Sequence, residues 1–257
     1  MSNNTIISLN NVQKTYRNEL KRRKIPALQD LTFSVGKGEV FGIIGPNGAG
    51  KSTALKILMG FISYDHGKVL LAGKEPGNRQ QHDSIGFLPE NPCLYKNLTV
   101  TDHLQFAASI LKIPATLAKQ KIKALLAQVQ LEEAASIPIR RFSKGMSQRA
   151  ALAYALLPEP ELLILDEPMS GLDPLGRELV INIIRDYNRK GNTILFCSHI
   201  LTDVERICDR IAIINKGKIA ATTTPAELKS HTVTSGASPL ESLFLQTVKD
   251  PEKCMRS

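Results

Sequence analysis

Cysteine is scarce and scattered in this chain. Cys93, Cys197, Cys208 and Cys254 are the four in 257 residues, and no two stand in a C-x-x-C spacing. That argues against a zinc site and a disulfide frame, and reduced thiols in a cytosolic setting are the expectation. Long apolar runs are also lacking. None approaches the roughly 18 residues that suggest a membrane span, so work at a membrane would need another chain to cross it. Met1 to Thr5 are polar and lack the basic-then-apolar layout of a secretory leader. There is no long internal repeat and no coiled coil. Acidic residues are in deficit, 24 Asp and Glu against 33 Lys and Arg, for a net charge of +9. This permits a polyanionic partner or an anionic membrane surface and identifies neither.

What the chain does contain is a glycine-rich segment with a defined spacing. Gly45-Pro46-Asn47-Gly48-Ala49-Gly50-Lys51-Ser52-Thr53 reads G-x-x-x-x-G-K-S/T. An apolar run, Val40 to Ile44, precedes it as a buried strand, and a helical pattern, Lys51 to Met59, follows. Glycines there let backbone N–H groups turn inward around a polyphosphate, and the helix N-terminus adds partial positive charge. In this spacing Lys51 reaches the β- and γ-phosphates and the Ser52 hydroxyl ligates Mg²⁺. The expected ligand is a nucleoside triphosphate with Mg²⁺.

Strands are expected at Ile6–Gln13, Leu28–Val35, Lys68–Leu71 and Ile85–Leu88. From about Asn91 the character changes. Helical spacing covers Thr99–Lys112 and Ala115–Glu133, parted by Pro114, and a third helix is expected from near Ser147 to before Pro158. Short apolar runs return at Leu162–Leu165 and Thr193–Cys197, of the kind a parallel sheet buries on both faces. Pro174–Lys190 between them is helical and closed by Gly191. Ile211–Ile214 and Lys218–Ala221 flank a turn at Asn215-Lys216-Gly217. A helical segment, about 91–159, thus interrupts a nucleotide-binding α/β core.

Leu162–Leu165 ends in Asp166-Glu167, placing two carboxylates at the carboxyl end of a buried strand, the edge where ligands of open α/β sheets gather. Asp166 is positioned to hold Mg²⁺, directly or through water, and Glu167 to polarise the water that attacks the γ-phosphate. Phe142-Ser143-Lys144-Gly145-Met146-Ser147-Gln148-Arg149 supplies a hydroxyl, close backbone approach and a helix N-terminus, the makings of an anion site. An ordinary serine N-cap would use the same letters.

The order of these motifs, with Leu165-Asp166-Glu167-Pro168-Met169-Ser170-Gly171-Leu172-Asp173-Pro174 and then Cys197-Ser198-His199, resembles the nucleotide-binding subunit of ABC transporters. The resemblance spans about Ile6 to Leu228. It implies an α/β fold: a P-loop NTPase core with a mostly parallel sheet, an antiparallel β subdomain and an inserted helical subdomain. An ATPase domain would cover 1–230, and a linker with a short C-terminal helix 231–257. The resemblance also assigns roles. Tyr16 matches the aromatic that stacks on adenine. Ser143, Lys144, Gly145 and Met146 match the signature loop, which contacts the ATP of the opposite subunit; Phe142, Lys144 and Met146 depart from the commonest Leu-Ser-Gly-Gly-Gln. Asp173 lies in the D-loop at the dimer seam. His199 matches the switch histidine, which hydrogen-bonds the γ-phosphate. Where the family usually carries a glutamine this chain has Glu90, which adds a third carboxylate able to ligate Mg²⁺ or a water.

Pro89-Glu90-Asn91-Pro92, Leu94 to Val100, the Ser-Lys-Gly-Met signature, Ser198-His199-Ile200-Leu201 and Pro239 to Phe244 resemble the type-2 exporter branch. That implies a second copy of the ATPase subunit and a separate permease of about six membrane helices. The chain would sit at the cytoplasmic face of the membrane through that permease, with no specific nucleic acid as partner. An importer ATPase is the nearest alternative. A soluble ABC ATPase acting on nucleic acid or ribosomes, and a nucleotide-binding module without turnover, are further ones. The basic run Lys21-Arg22-Arg23-Lys24 reads as a solvated loop or a contact with anionic headgroups.

Overall fold

The structure, a computed structural model, describes residues 4–18, 23–77, 85–230 and 238–249. In chain order, β1 (Thr5–Asn18), β2 (Arg23–Gly36) and β3 (Val40–Ile44) precede α1 (Lys51–Leu58), β4 (His66–Leu71) and β5 (Ile85–Leu88). Three helices follow, α2 (Val100–Ile110), α3 (Ala115–Gln128) and α4 (Lys144–Leu156), then β6 (Leu162–Asp166), α5 (Pro174–Arg189) and β7 (Thr193–Cys197). The rest comprises α6 (Leu201–Ile207), β8 (Arg210–Asn215), β9 (Lys218–Thr223), α7 (Pro225–Ser230) and α8 (Pro239–Lys249). The chain divides into two compact units, Met1–Gln81 with Leu195–Ser257, and His82–Ile194.

In the first unit, β1 is the middle strand of an antiparallel sheet, with order β2-β1-β4. The expected strands at Ile6–Gln13 and Leu28–Val35 are present but longer. They pair on through Tyr16↔Ile25 and Asn18↔Arg23, so the ladder carries polar residues that show no hydrophobic alternation. A second set has the order β7-β3-β8-β9. β3 runs parallel to β8, with Phe41↔Arg210 and Ile44↔Ile213, and β9 turns back antiparallel. All five residues of β3 are buried, which accounts for an unbroken apolar run in place of alternation. The C-terminal helix α8 docks here through Leu240, fully buried, and through Glu205 on α6, whose Oε1 accepts from the Leu240 amide at 2.9 Å.

In the second unit, β5 and β6 pair in parallel, Ile85↔Leu162 through Leu88↔Leu165. Between them the chain is helical. Thr99 starts α2 with a capping box: its Oγ1 accepts from the Asp102 amide at 3.0 Å while Asp102 Oδ2 accepts from the Thr99 amide at 2.9 Å. The Thr99 hydroxyl also donates to Asp102 Oδ2 at 2.7 Å, and this bond, with that from the Thr99 amide, holds the Asp102 carboxyl below its ordinary value. Helix α4 buries four alanines, Ala150, Ala151, Ala153 and Ala155, so its backbone packs closely on its neighbours. It starts at Lys144 and not near Ser147, because Ser143 caps it by accepting from the Met146 amide at 3.1 Å. Residues 144–146 therefore form a first helical turn, not a loop. Helix α3 stops at Gln128, where the spacing predicted Glu133. Asp173 caps α5 through Gly176, and Pro174 stands in its first turn. Helix α6 was not marked by the spacing; at seven residues it is too short to show a period.

Candidate nucleotide site

Two clusters of predicted site residues form, one in each unit. In the first unit, β3 delivers the chain into Gly45 and α1 takes it away at Lys51. Gly45 has no room for a side chain, since a Cβ would stand 2.3 Å from the Ile214 carbonyl oxygen. Gly50 has φ 111° and serves as the N-cap of α1 without any side-chain cap. Its conformation favours glycine, and a Cβ would also meet the Ala27 oxygen at 2.7 Å. The turn after β8 braces the loop, with the Gly217 amide donating to Ala49 O at 2.8 Å. No acidic side chain lies in the first turn of α1, so no carboxylate of that turn offsets the positive end of the helix.

Lys51 is 8% exposed, and its Nζ donates to Gly45 O at 2.6 Å and Pro46 O at 3.3 Å. The ammonium is thus folded over its own loop and held there by carbonyls, where a phosphate oxygen would make a stronger, charge-assisted bond. Ser52 and Thr53 follow on the first turn, half-buried. His199 lies just past β7, exposed, and the preceding Ser198 amide donates to Ile43 O at 3.2 Å. The structure therefore brings the His199 segment to the same strand end as the glycine-rich loop. Tyr16 is 39% exposed on β1 with the Lys14 ammonium 6.0 Å from its ring centroid, so an aromatic face is open to stacking. Lys21 and Arg22 of the basic run lie outside the described residues.

In the second unit, β6 ends at Asp166, 6% exposed, followed by Glu167, 8% exposed. Glu167 has φ 51°, a left-handed conformation costing a non-glycine residue on the order of 1–2 kcal/mol. Its carbonyl accepts from the Ser170 amide at 3.0 Å and from Gln148 Nε2 at 3.2 Å. Ser143, Gly145 and Met146 meet Gly171, Leu172 and Asp173 around an open cavity of about 330 Å³. Gly145 stands close to the Gly171 oxygen, which a Cβ would approach to 3.2 Å. Lys144 Nζ donates to Ser170 Oγ at 2.9 Å. Glu90, exposed, follows β5 after Pro89. Gln148 is the residue in this cluster that motif reasoning did not assign. It is fully buried at 2% exposure, which its place among the alanines of α4 does not reveal.

The residues named for Mg²⁺ are Ser52 in the first unit and Asp166 and Glu90 in the second. Their hydroxyl and carboxylate oxygens are the hard ligands that cation takes. Among the described residues no group of three or more His, Cys, Asp or Glu side chains gathers. That donor set fits Mg²⁺, which one or two protein oxygens hold together with phosphates and water. Also among them, no helix is long and apolar enough to cross a membrane.

Residues 28–170 match the family model described as ABC transporter. A Nostoc protein named as an uncharacterized ABC transporter ATP-binding protein is 44% identical over 87% of this chain and 68% of its own length. A Synechocystis relative with the same description is also 44% identical, and the chain spans 62% of its length. The lantibiotic transport ATP-binding protein SrtF of Streptococcus pyogenes is 38% identical over 83% of this chain and 89% of its own. A fluoroquinolones export ATP-binding protein of Mycobacterium tuberculosis is 40% identical over 79% and 67%. Among solved structures, an ATP-binding subunit of an ABC transporter superposes with a TM-score of 0.81 at 32% identity, covering 94% of this chain and 98% of that one. A bacterial ABC transporter cassette solved as a dimer gives 0.79 at 25% identity, over 85% and 98%.

Proposed function

The chain belongs to the ABC transporter family as an ATP-binding protein, and on that premise we propose that it is the ATP-hydrolysing subunit of an exporter. The observation that carries the ATP site is the loop around Lys51. A buried ammonium is held by two carbonyls of its own loop, at the N-terminus of α1, where no side chain caps the helix. The γ-phosphate of ATP draws Lys51 onto itself, amides of residues 48–53 surround the phosphates, and Tyr16 stacks on the adenine. Ser52 and Asp166, with Glu90 as a further oxygen donor, would hold Mg²⁺, whose charge would neutralise that of the phosphates. Glu167 accepts a proton from the attacking water, and His199 hydrogen-bonds the γ-phosphate and orients that water.

Two copies close around two ATP molecules, each held by one copy's glycine-rich loop and the other's Ser143 and Gly145, with Asp173 at the seam. Hydrolysis removes the bridging γ-phosphate and the pair loosens, a ligand-held switch. The solved dimer of a related cassette supports the pairing. That motion drives a separate permease, docked on the helical segment after Glu90, and this places the chain on the cytoplasmic face of the membrane. A relative named for fluoroquinolone export supports the outward direction.

Pull-down of tagged Glu167→Gln protein from its native membranes, in mild detergent with ATP and Mg²⁺, tests the transport assignment. A co-purifying subunit of about six membrane helices is expected. Recovery only from the soluble fraction, bound to RNA or ribosomes, would overturn it.

A further inference from the structure

One face of α4 is bonded to the segment that follows β6. Lys144 and Gln148 are four residues apart and so lie one above the other on the helix. Gln148 donates from Nε2 to Glu167 O at 3.2 Å, and Lys144 donates from Nζ to Ser170 Oγ at 2.9 Å. The Lys144 methylenes cover Gly171, where an added Cβ would lie 2.5 Å from Cδ. The Ser170 amide closes the turn onto the same Glu167 carbonyl at 3.0 Å. Within this turn Glu167 has φ 51°, a backbone state that persists only where the surroundings hold it.

Gln148 is 2% exposed, and its side chain reaches this carbonyl across 19 residues of sequence. Resting on the assignment of Glu167 as the water-activating carboxylate, we propose that Gln148 is a positioning residue for hydrolysis. It holds the Glu167 carbonyl, and with it the left-handed backbone that aims the carboxylate, while Lys144 braces the same turn through Ser170. Ser143 and Gly145 share the first turn of α4 with Lys144. The helix that meets one ATP through its N-terminus therefore also sets the carboxylate that acts on the other. Lys144, which replaces a glycine of the commonest signature, thus works inside its own subunit.

The test uses the full chain. Gln148→Met keeps the volume and removes the donor. Its kcat is expected to fall about ten-fold, with the ATP Kd from equilibrium titration of a fluorescent ATP analogue kept within about two-fold of wild type. Gln148→Glu gives a signature that packing alone would not produce. Protonated, its carboxyl donates to the Glu167 carbonyl; ionised, it cannot, so its kcat relative to wild type rises as pH is lowered. Should Gln148→Met not fold, Lys144→Met at an exposed position is expected to lower kcat at unchanged Kd. A Gln148→Met enzyme with wild-type kcat, a flat pH ratio in Gln148→Glu, or parallel loss of kcat and ATP affinity would each overturn the inference. If wild type hydrolyses ATP and Glu167→Gln does not, such a result sinks the positioning role alone. If wild type shows no turnover, the ATPase assignment falls and this inference with it.

Discussion

Lys51 is held by two carbonyls of its own loop, and its charge is the part of the site that must exchange partners when phosphate arrives. Lys51→Ala is expected to weaken ATP binding by at least about ten-fold, the loss of one charge-assisted contact at about 1.5–3 kcal/mol. Equilibrium titration checks this, and wild-type affinity would remove the loop from the site. Gly45 answers a different constraint. With the Ile214 oxygen 2.3 Å from where a Cβ would stand, Gly45→Ala should destabilise the fold by about 1–3 kcal/mol, read as a lowered urea midpoint. Both residues were legible in the sequence because the glycine-rich spacing is local and each requirement falls on one short segment. Gln148 was not. Its partner lies 19 residues away, and a glutamine in a helix carries no mark that distinguishes a buried donor from a solvated surface side chain.

At the scale of elements, strands buried on both faces could be read from the sequence with their ends, as β3, β6 and β7 show. Burial continues past the apolar runs, into Asp166 and Glu167 after Leu165 and into Ser198 after Cys197, so the runs marked the strands to within a residue and not the limits of the core. The β1–β2 pair could not, since Asn18↔Arg23 pairing extends the ladder through polar residues. Helix starts followed the capping chemistry more closely than the apolar period. Ser143 fixes the start of α4 at Lys144, three residues ahead of where the periodic pattern begins. The cap of α2 permits a quantitative check. Thr99→Ala removes the acceptor for the Asp102 amide and should cost about 1 kcal/mol near neutral pH. The Asp102 pKa is held below its ordinary value by the Thr99 hydroxyl, so its stabilisation is present above about pH 4 and is lost as pH falls through the lowered folded-state value. The difference in urea stability between wild type and Thr99→Ala should therefore shrink on acidification below about pH 4. A difference that stayed constant would show that the cap is worth nothing as a charge-assisted pair.

At the scale of the whole molecule, the sequence separated fold from employment. Motif order identified an ATP-binding cassette, which the family match over residues 28–170 bears out. On the proposed reading, transport direction and cargo would be set by a cavity in a separate permease. The net charge of +9 is equally general, and it attracts polyanions without choosing among them. The central proposal is that the molecule turns over ATP with Glu167 as the carboxylate that activates water. The most direct measurement is phosphate release from ATP and Mg²⁺ by wild type and Glu167→Gln side by side. The account predicts release by wild type and a fall of about 10²-fold or more in the variant, the scale of general-base catalysis, with ATP still bound. Equal rates in the two proteins would contradict it.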